Sequence, residues 1–383
     1  MINNLFIDSG AHSLYNINAR NKNYNFYETD DFWKYVDDYC QFILLNKKNI
    51  SVYVSVDVIF QPELSWKVQR YMEDNYKIKP LPVFHFPILH HLKDFSLDGN
   101  FNNSQIKWLK KYMDTCEYIG LGGLGQQVTK KQFIIYADRL FKLLCTPKGT
   151  AKWKIHGFAM TSFDLMKRYP WYSVDSTSYR LQAAYGTVLF PKIKNNEYLF
   201  DISPTGLKVT PRILSKNKTT TSVKHINNFL EINPTEREKL KNYLNWIRPG
   251  TKLGKTKYEI KNLNYELKKD ERWFKKFKKE NKGMVELIIE EGIENNSYIR
   301  EELNLRLFQK VSETLRKQEI KNNQFEIYFA VATNAFLKIA QKNNANCLIS
   351  YYFLKDKNFS EEALKSINIS MPFIKNKFTK INY

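Results

Sequence analysis

The chain has 383 residues, 43% of them hydrophobic and 15% aromatic, with 60 Lys+Arg against 39 Asp+Glu and a formal charge of +21. That length and apolar content argue against a disordered tail or a small stapled scaffold and allow one large domain or two. The scattered Cys40, Cys116, Cys145 and Cys347 form no CxxC pair, no apolar run nears the roughly 18 residues of a membrane span, and the first residues lack the basic-then-apolar order of a leader. The expectation is a cytoplasmic protein with reduced thiols and no membrane partner.

Short apolar runs alternate with amphipathic stretches through the first half. Leu5-Phe6-Ile7 reads as a strand, and Asp31 to Leu45 places Phe32, Tyr35, Val36, Tyr39 and Phe42 at helical spacing. Ser51 to Val56 is a β-branched strand, and Glu63 to Tyr76 is a helix with Pro62 at its start. Pro82-Val83-Phe84, Tyr118 to Leu121, Trp153 to Phe158 and Trp171 to Val174 read as the next strands, with Thr187 to Phe190 as a seventh. Helices are predicted at Ser104 to Cys116, Thr129 to Cys145 and Ser162 to Arg168. Such alternation predicts an α/β protein with a parallel sheet, read here as a (β/α)8 TIM-like barrel. A doubly wound dinucleotide fold would carry G-x-G-x-x-G after its first strand, where this chain has Asp8-Ser9-Gly10-Ala11.

Beyond about residue 205 the character changes. Lys208 to Lys224 has five basic residues and no acidic one, and Lys268 to Lys282 has eight against three, with Trp273, Phe274 and Phe277 interleaved. Gln324 to Gln341 reads as one strongly apolar helix. The predicted division is a barrel over 1–245 and a mostly helical, basic accessory region over 246–383, suited to nucleic acid because neutralised phosphates release counterions. No eighth strand stands out.

Polar residues fall where the predicted strands end: Asp8, Asp57, His85, Gly122 with Gly123, His156 with Gly157, and Asp175. One Asp after a strand is ordinarily a cap or turn residue. Three aspartates and two histidines in register point to the carboxyl-end face on which barrel enzymes carry their chemistry. Two carboxylates facing one pocket suit displacement at an anomeric carbon, one attacking C1′ and the other managing the leaving group's proton. A third can hydrogen-bond a ring, and the glycines let a ligand approach the backbone. His90 and His91 are adjacent and point apart, which disfavours a metal pair.

At these residues the sequence resembles the tRNA-guanine transglycosylase superfamily, in particular the phage and bacterial branch that inserts 7-deazaguanines into DNA. Asp8-Ser9-Gly10-Ala11-His12-Ser13 is similar to the DSGG-aromatic-Gln motif, whose Asp is the general acid/base. Ser55-Val56-Asp57 resembles the strand that grips the base, and Ile119 to Leu124 resembles the glycine loop. Lys154 to Phe158 with Ser162 to Leu165 looks like the strand and helix preceding the nucleophile. Tyr172 to Ser176 falls where the nucleophilic Asp lies.

The resemblance covers residues 5 to 190. It implies Asp175 as nucleophile and Asp8 as acid/base. It implies Ser9, Gly10, His12, Asp57, His85, Gly122, Gly123 and His156 as substrate-binding residues, with no metal or redox cofactor. The implied partners are single- or double-stranded DNA and a free 7-deazaguanine base, with tRNA as the alternative; a homodimer stays open. Three departures stand out. His12 replaces the stacking aromatic, His85 stands at the family's Gln, and the C-terminal Cys3His zinc site is absent, which argues against an ordinary tRNA enzyme. Competing readings are a non-catalytic nucleic-acid-binding subunit, which has no need of a nucleophile, and a metal-dependent barrel hydrolase, which wants His-x-His where Asp8 stands.

Overall fold

The computed structural model describes residues 2–23, 25–85, 103–123, 130–160, 162–210, 212–215, 223–226 and 234–372. The chain forms two compact units, Met1–Thr177 with Leu315–Tyr383, and Ser178–Thr314.

The first unit is built on eight parallel strands: β1 Leu5–Asp8, β2 Val52–Tyr53, β3 Val83–His85, β4 Tyr118–Gly122, β5 Lys154–Gly157, β6 Ser173–Ser176, β7 Glu326–Val331 and β8 Cys347–Ser350. Their order is β2-β1-β8-β7-β6-β5-β4-β3, so chain neighbours are sheet neighbours throughout, apart from β2 and β3 at the two edges. The sheet curls into a half-barrel. Phe6 on β1 shows the curl: its ring lies 4.6 Å from that of His156 on β5, four strands away. A flat sheet would hold those strands about 19 Å apart at the usual strand spacing. The edges carry one bridge, Val54 with Leu81. Ser55 N–H donates to Leu81 O at 2.9 Å and Leu81 N–H donates to Tyr53 O at 2.8 Å.

Phe6, Val54, Leu81, Val83, Tyr328 and Leu348 form one buried cluster drawn from both edges and from the middle of the sheet. Helices fill the intervals, among them α1 Ala11–Arg20, α2 Asp30–Asn46, α3 Pro62–Tyr76, α4 Asn103–Thr115, α5 Lys130–Leu144 and α6 Phe163–Arg168. α2 buries Phe32, Tyr35, Val36, Tyr39, Cys40, Phe42 and Ile43, a stripe at three- and four-residue spacing. Two of its phenols satisfy carbonyls at strand ends: Tyr35 Oη donates to Ser9 O at 2.7 Å and Tyr39 Oη to Val54 O at 2.8 Å.

Several expectations change here. Thr187–Phe190 is a strand, but it pairs antiparallel with Thr205–Lys208 in the second unit and is not the seventh strand of the parallel sheet. That position belongs to β7, the first part of the run read as a single helix; Asn334–Lys342 is the helix that follows it. A strand buried on both faces is a continuous apolar run, which periodicity alone does not separate from a buried helix. β8, buried at all four positions, inserts between β7 and β1. The boundary expected at 245 therefore falls inside the second unit, within the helix Pro234–Ile247. The chain leaves the sheet after β6 and returns for β7.

The region after residue 245 is also not mostly helical. Lys255–Asn262, Lys282–Glu290 and Glu271–Phe277 form a three-stranded antiparallel sheet in that order. Trp273 packs over Gly283, where an added Cβ would lie 2.5 Å from the indole, and Phe274 meets Tyr258 at 5.3 Å. In the second unit, Asn304 on the helix Ser297–Arg316 accepts from Leu189 N–H at 2.8 Å and donates to Tyr179 O at 3.0 Å. Arg300 donates to Ala183 O at 2.8 Å. These bonds satisfy buried polar groups and tie the helix to the strand Thr187–Phe190 and to the helix Ser178–Ala184. Within the basic stretch 208–224, residues 211 and 216–222 lie outside the described residues.

Candidate active site

Because the strands are parallel, their carboxyl ends share one face. Asp8 ends β1, Asp57 lies just past β2, His85 ends β3, Gly122 ends β4, His156 and Gly157 end β5, and Asp175 is the penultimate residue of β6. All belong to the first unit. Ser350, the last residue of β8, joins them and was not singled out from sequence. His90, His91 and Leu124 lie outside the described residues.

Asp8 is partly buried and its carboxyl is pushed up to about 7. Burial is the main cause, and the charge of Asp57 adds to it; the Gly10 N–H, donating to Oδ2 at 3.1 Å, opposes both. Asp175 raises it further, while the Ser350 side chain lowers it. The three aspartates thus share one electrostatic site. Gly10, at φ +84°, opens α1, and a Cβ there would lie 2.7 Å from Tyr352 Cβ and 2.9 Å from Tyr35 Oη. Ser9 is fully buried, and its Oγ has no hydrogen-bond partner among the described residues.

Asp57 is buried, and its Oδ2 lies 2.5 Å from His85 Nε2. Gly122 makes that pairing fit: a Cβ at this position would stand 2.8 Å from His85 Cε1 and 2.9 Å from Nδ1. Gly123 follows at φ +79°. His12 sits on the first turn of α1 with an exposed side chain, 3.1 Å from Asn16 Nδ2. Its imidazole is lowered by desolvation and by the charge of His85, with Asp57 opposing. Phe60, held at φ +66°, places its ring 6.3 Å from that of His85 and 5.7 Å from that of Tyr15. A non-glycine residue at positive φ is uncommon and costs energy, as is frequent at functional sites.

Asp175 is buried and held from two sides. Ala159 N–H donates to Oδ1 at 2.7 Å, and His156 Nε2 lies 3.4 Å from the same oxygen. His156 Nδ1 is 2.6 Å from Ser173 Oγ, which is 2.5 Å from Tyr118 Oη. His156, expected to bind substrate, is fully buried among Phe6, Phe158 and Tyr328, with its Nε2 towards Asp175. Burial lowers its imidazole and favours the neutral ring, against the pull of Asp175 towards the charged one. Tyr118 and Ser173 were missed in the sequence; the available signal was a lone Ser inside the otherwise apolar Trp171 to Val174 run.

Two carboxyls with different surroundings can do different work: a group titrating near neutrality can give and take a proton, and one fixed by a backbone N–H can attack. No family model, no curated protein and no solved structure matches this chain.

Proposed function

We propose that this protein is a base-exchange transglycosylase that replaces guanine in DNA with a 7-deazaguanine base, on a (β/α)8 barrel closed through the Val54–Leu81 bridge. The observation that carries the reading is the contrast between Asp8, raised to about 7, and Asp175, anchored by Ala159 N–H, on one strand-end face. The resemblance of residues 5 to 190 to the tRNA-guanine transglycosylase superfamily supports the same roles.

In this mechanism the target nucleoside is flipped out of its stack. A carboxylate oxygen of Asp175 bonds to C1′ while the glycosidic bond breaks, its electron pair leaving with guanine N9. Protonated Asp8 gives that nitrogen its proton. The incoming 7-deazaguanine then loses its N9 proton to Asp8 and attacks C1′, releasing the Asp175 carboxylate. Asp57 with His85 reads the base's polar edge, Gly122 and Gly123 let it approach the backbone, and His12 and Phe60 offer flat faces. The covalent step parallels retaining glycosidases.

Incubation of the protein with DNA or tRNA and candidate bases, followed by nucleoside mass spectrometry, tests the reading. A modified deoxynucleoside is expected. Modified tRNA alone would move the substrate class, and no exchange in either would overturn the reading.

A further inference from the structure

Outside the strand-end pocket, a groove of about 800 Å³ runs between α3 and α4. Its walls include Trp66 and Trp108, whose ring centroids are 6.5 Å apart. Lys111 Nζ stands 4.4 Å from the Trp108 centroid and 5.0 Å from that of Trp66, and the Arg70 guanidinium stands 5.2 Å from Trp66. Lys67, also lining the groove, has its Nζ 5.5 Å over Trp33 of α2. Arg70 is ion-paired with Glu73, and Glu63 is the one carboxylate among the described lining residues. Among the described residues, neither Lys67 nor Lys111 makes an ion pair with a carboxylate.

We propose that this groove binds a single strand of nucleic acid through its phosphates. Cations resting on indole faces keep fixed positions and leave their outer sides free for an anion. A polyanion with flat apolar parts meets both features, since single-strand sites join a positive groove to aromatic surfaces. The groove also begins beside the pocket. Its first lining residue, Gln61, follows Phe60, whose ring faces His85. A strand passing over Phe60 would enter the groove at the amino-terminal end of α3. The binding proposed here goes beyond base exchange and does not require it.

The test is a fluorescence-anisotropy titration of the full chain with a short labelled oligothymidylate, between roughly 50 and 200 mM salt. The double substitution Lys67→Gln, Lys111→Gln is expected to weaken binding at least about 10-fold at the lower salt. It should also flatten the slope of log K against log salt by about 1.4, the loss of two phosphate contacts on a single strand. Lys67 is exposed and Lys111 half-buried, and an unchanged thermal melt checks the fold. Unchanged affinity and slope would overturn the proposal. So would equal competition by polyglutamate, or tighter groove-dependent binding of a duplex of the same length. Lys142→Gln, which removes an exposed charge on α5 outside the groove, serves as the charge control and should bind the oligonucleotide like the parent. If the groove binds while no exchange is found with any base, the base-exchange reading fails alone.

Discussion

The backbone N–H of Ala159 donates to Asp175 Oδ1 at 2.7 Å from a residue held at φ +52°. A non-glycine residue in that region costs energy that surrounding structure must offset. The tight turn after β5 therefore trades local strain for a fixed carboxylate. His156, whose Nε2 lies 3.4 Å from the same oxygen, is itself held at Nδ1 by Ser173, which in turn meets Tyr118.

Replacing Asp175 with Ala is expected to abolish the covalent glycosyl adduct, read by intact-protein mass spectrometry after reaction with DNA and quenching. A surviving adduct would remove Asp175 from its role as nucleophile.

Asp8 gives a pH dependence whose sign is fixed. Its folded value near 7 lies above its ordinary 3.8, so the fold favours the protonated form. Its contribution to stability is fully present below about pH 4 and is lost as pH rises through 7. Asp8→Asn should therefore stabilise the protein at pH 8 by on the order of 2–4 kcal/mol and change little at pH 4. Denaturant melts at both pH values check this. On the proposed mechanism the departing base takes the Asp8 proton, so release of guanine by the parent protein should fall as pH rises above 7.

His156→Phe keeps a ring among Phe6, Phe158 and Tyr328 and removes both nitrogens. Burial of the cluster predicts a retained fold, while Asp175 loses one of its two positioning groups. Adduct formation in single turnover should slow on the order of 10–100-fold with little change in KM, the pattern of a lost transition-state interaction. An unchanged rate would show that Ala159 N–H alone suffices.

Gly122→Ala puts a methyl group 2.8 Å from His85 Cε1. The imidazole must turn away from Asp57 or the strand must shift, at a cost of about 1–3 kcal/mol. The expected effect is a KM for the free base raised on the order of 10-fold, with kcat less affected, read by base-exchange kinetics and a thermal melt. Gly123→Ala, strained by its φ rather than by His85, should destabilise without the same KM increase.

By itself the sequence determined where the chemistry-bearing residues of the first six strands fall. Asp8, His85, Gly122, His156 and Asp175 could be read from local pattern because a short apolar run followed by a polar residue marks a strand end. Tertiary structure alone decided which runs complete the sheet. Glu326–Val331 carries no alternation because parallel neighbours and helices bury both of its faces, and Thr187–Phe190 looked equally suitable until its antiparallel partner appeared. The role of His156 was likewise undecided by sequence. At a strand end it reads as a ligand to substrate, but the curl that brings Phe6 from β1 against it closes it off and leaves it to hold Asp175.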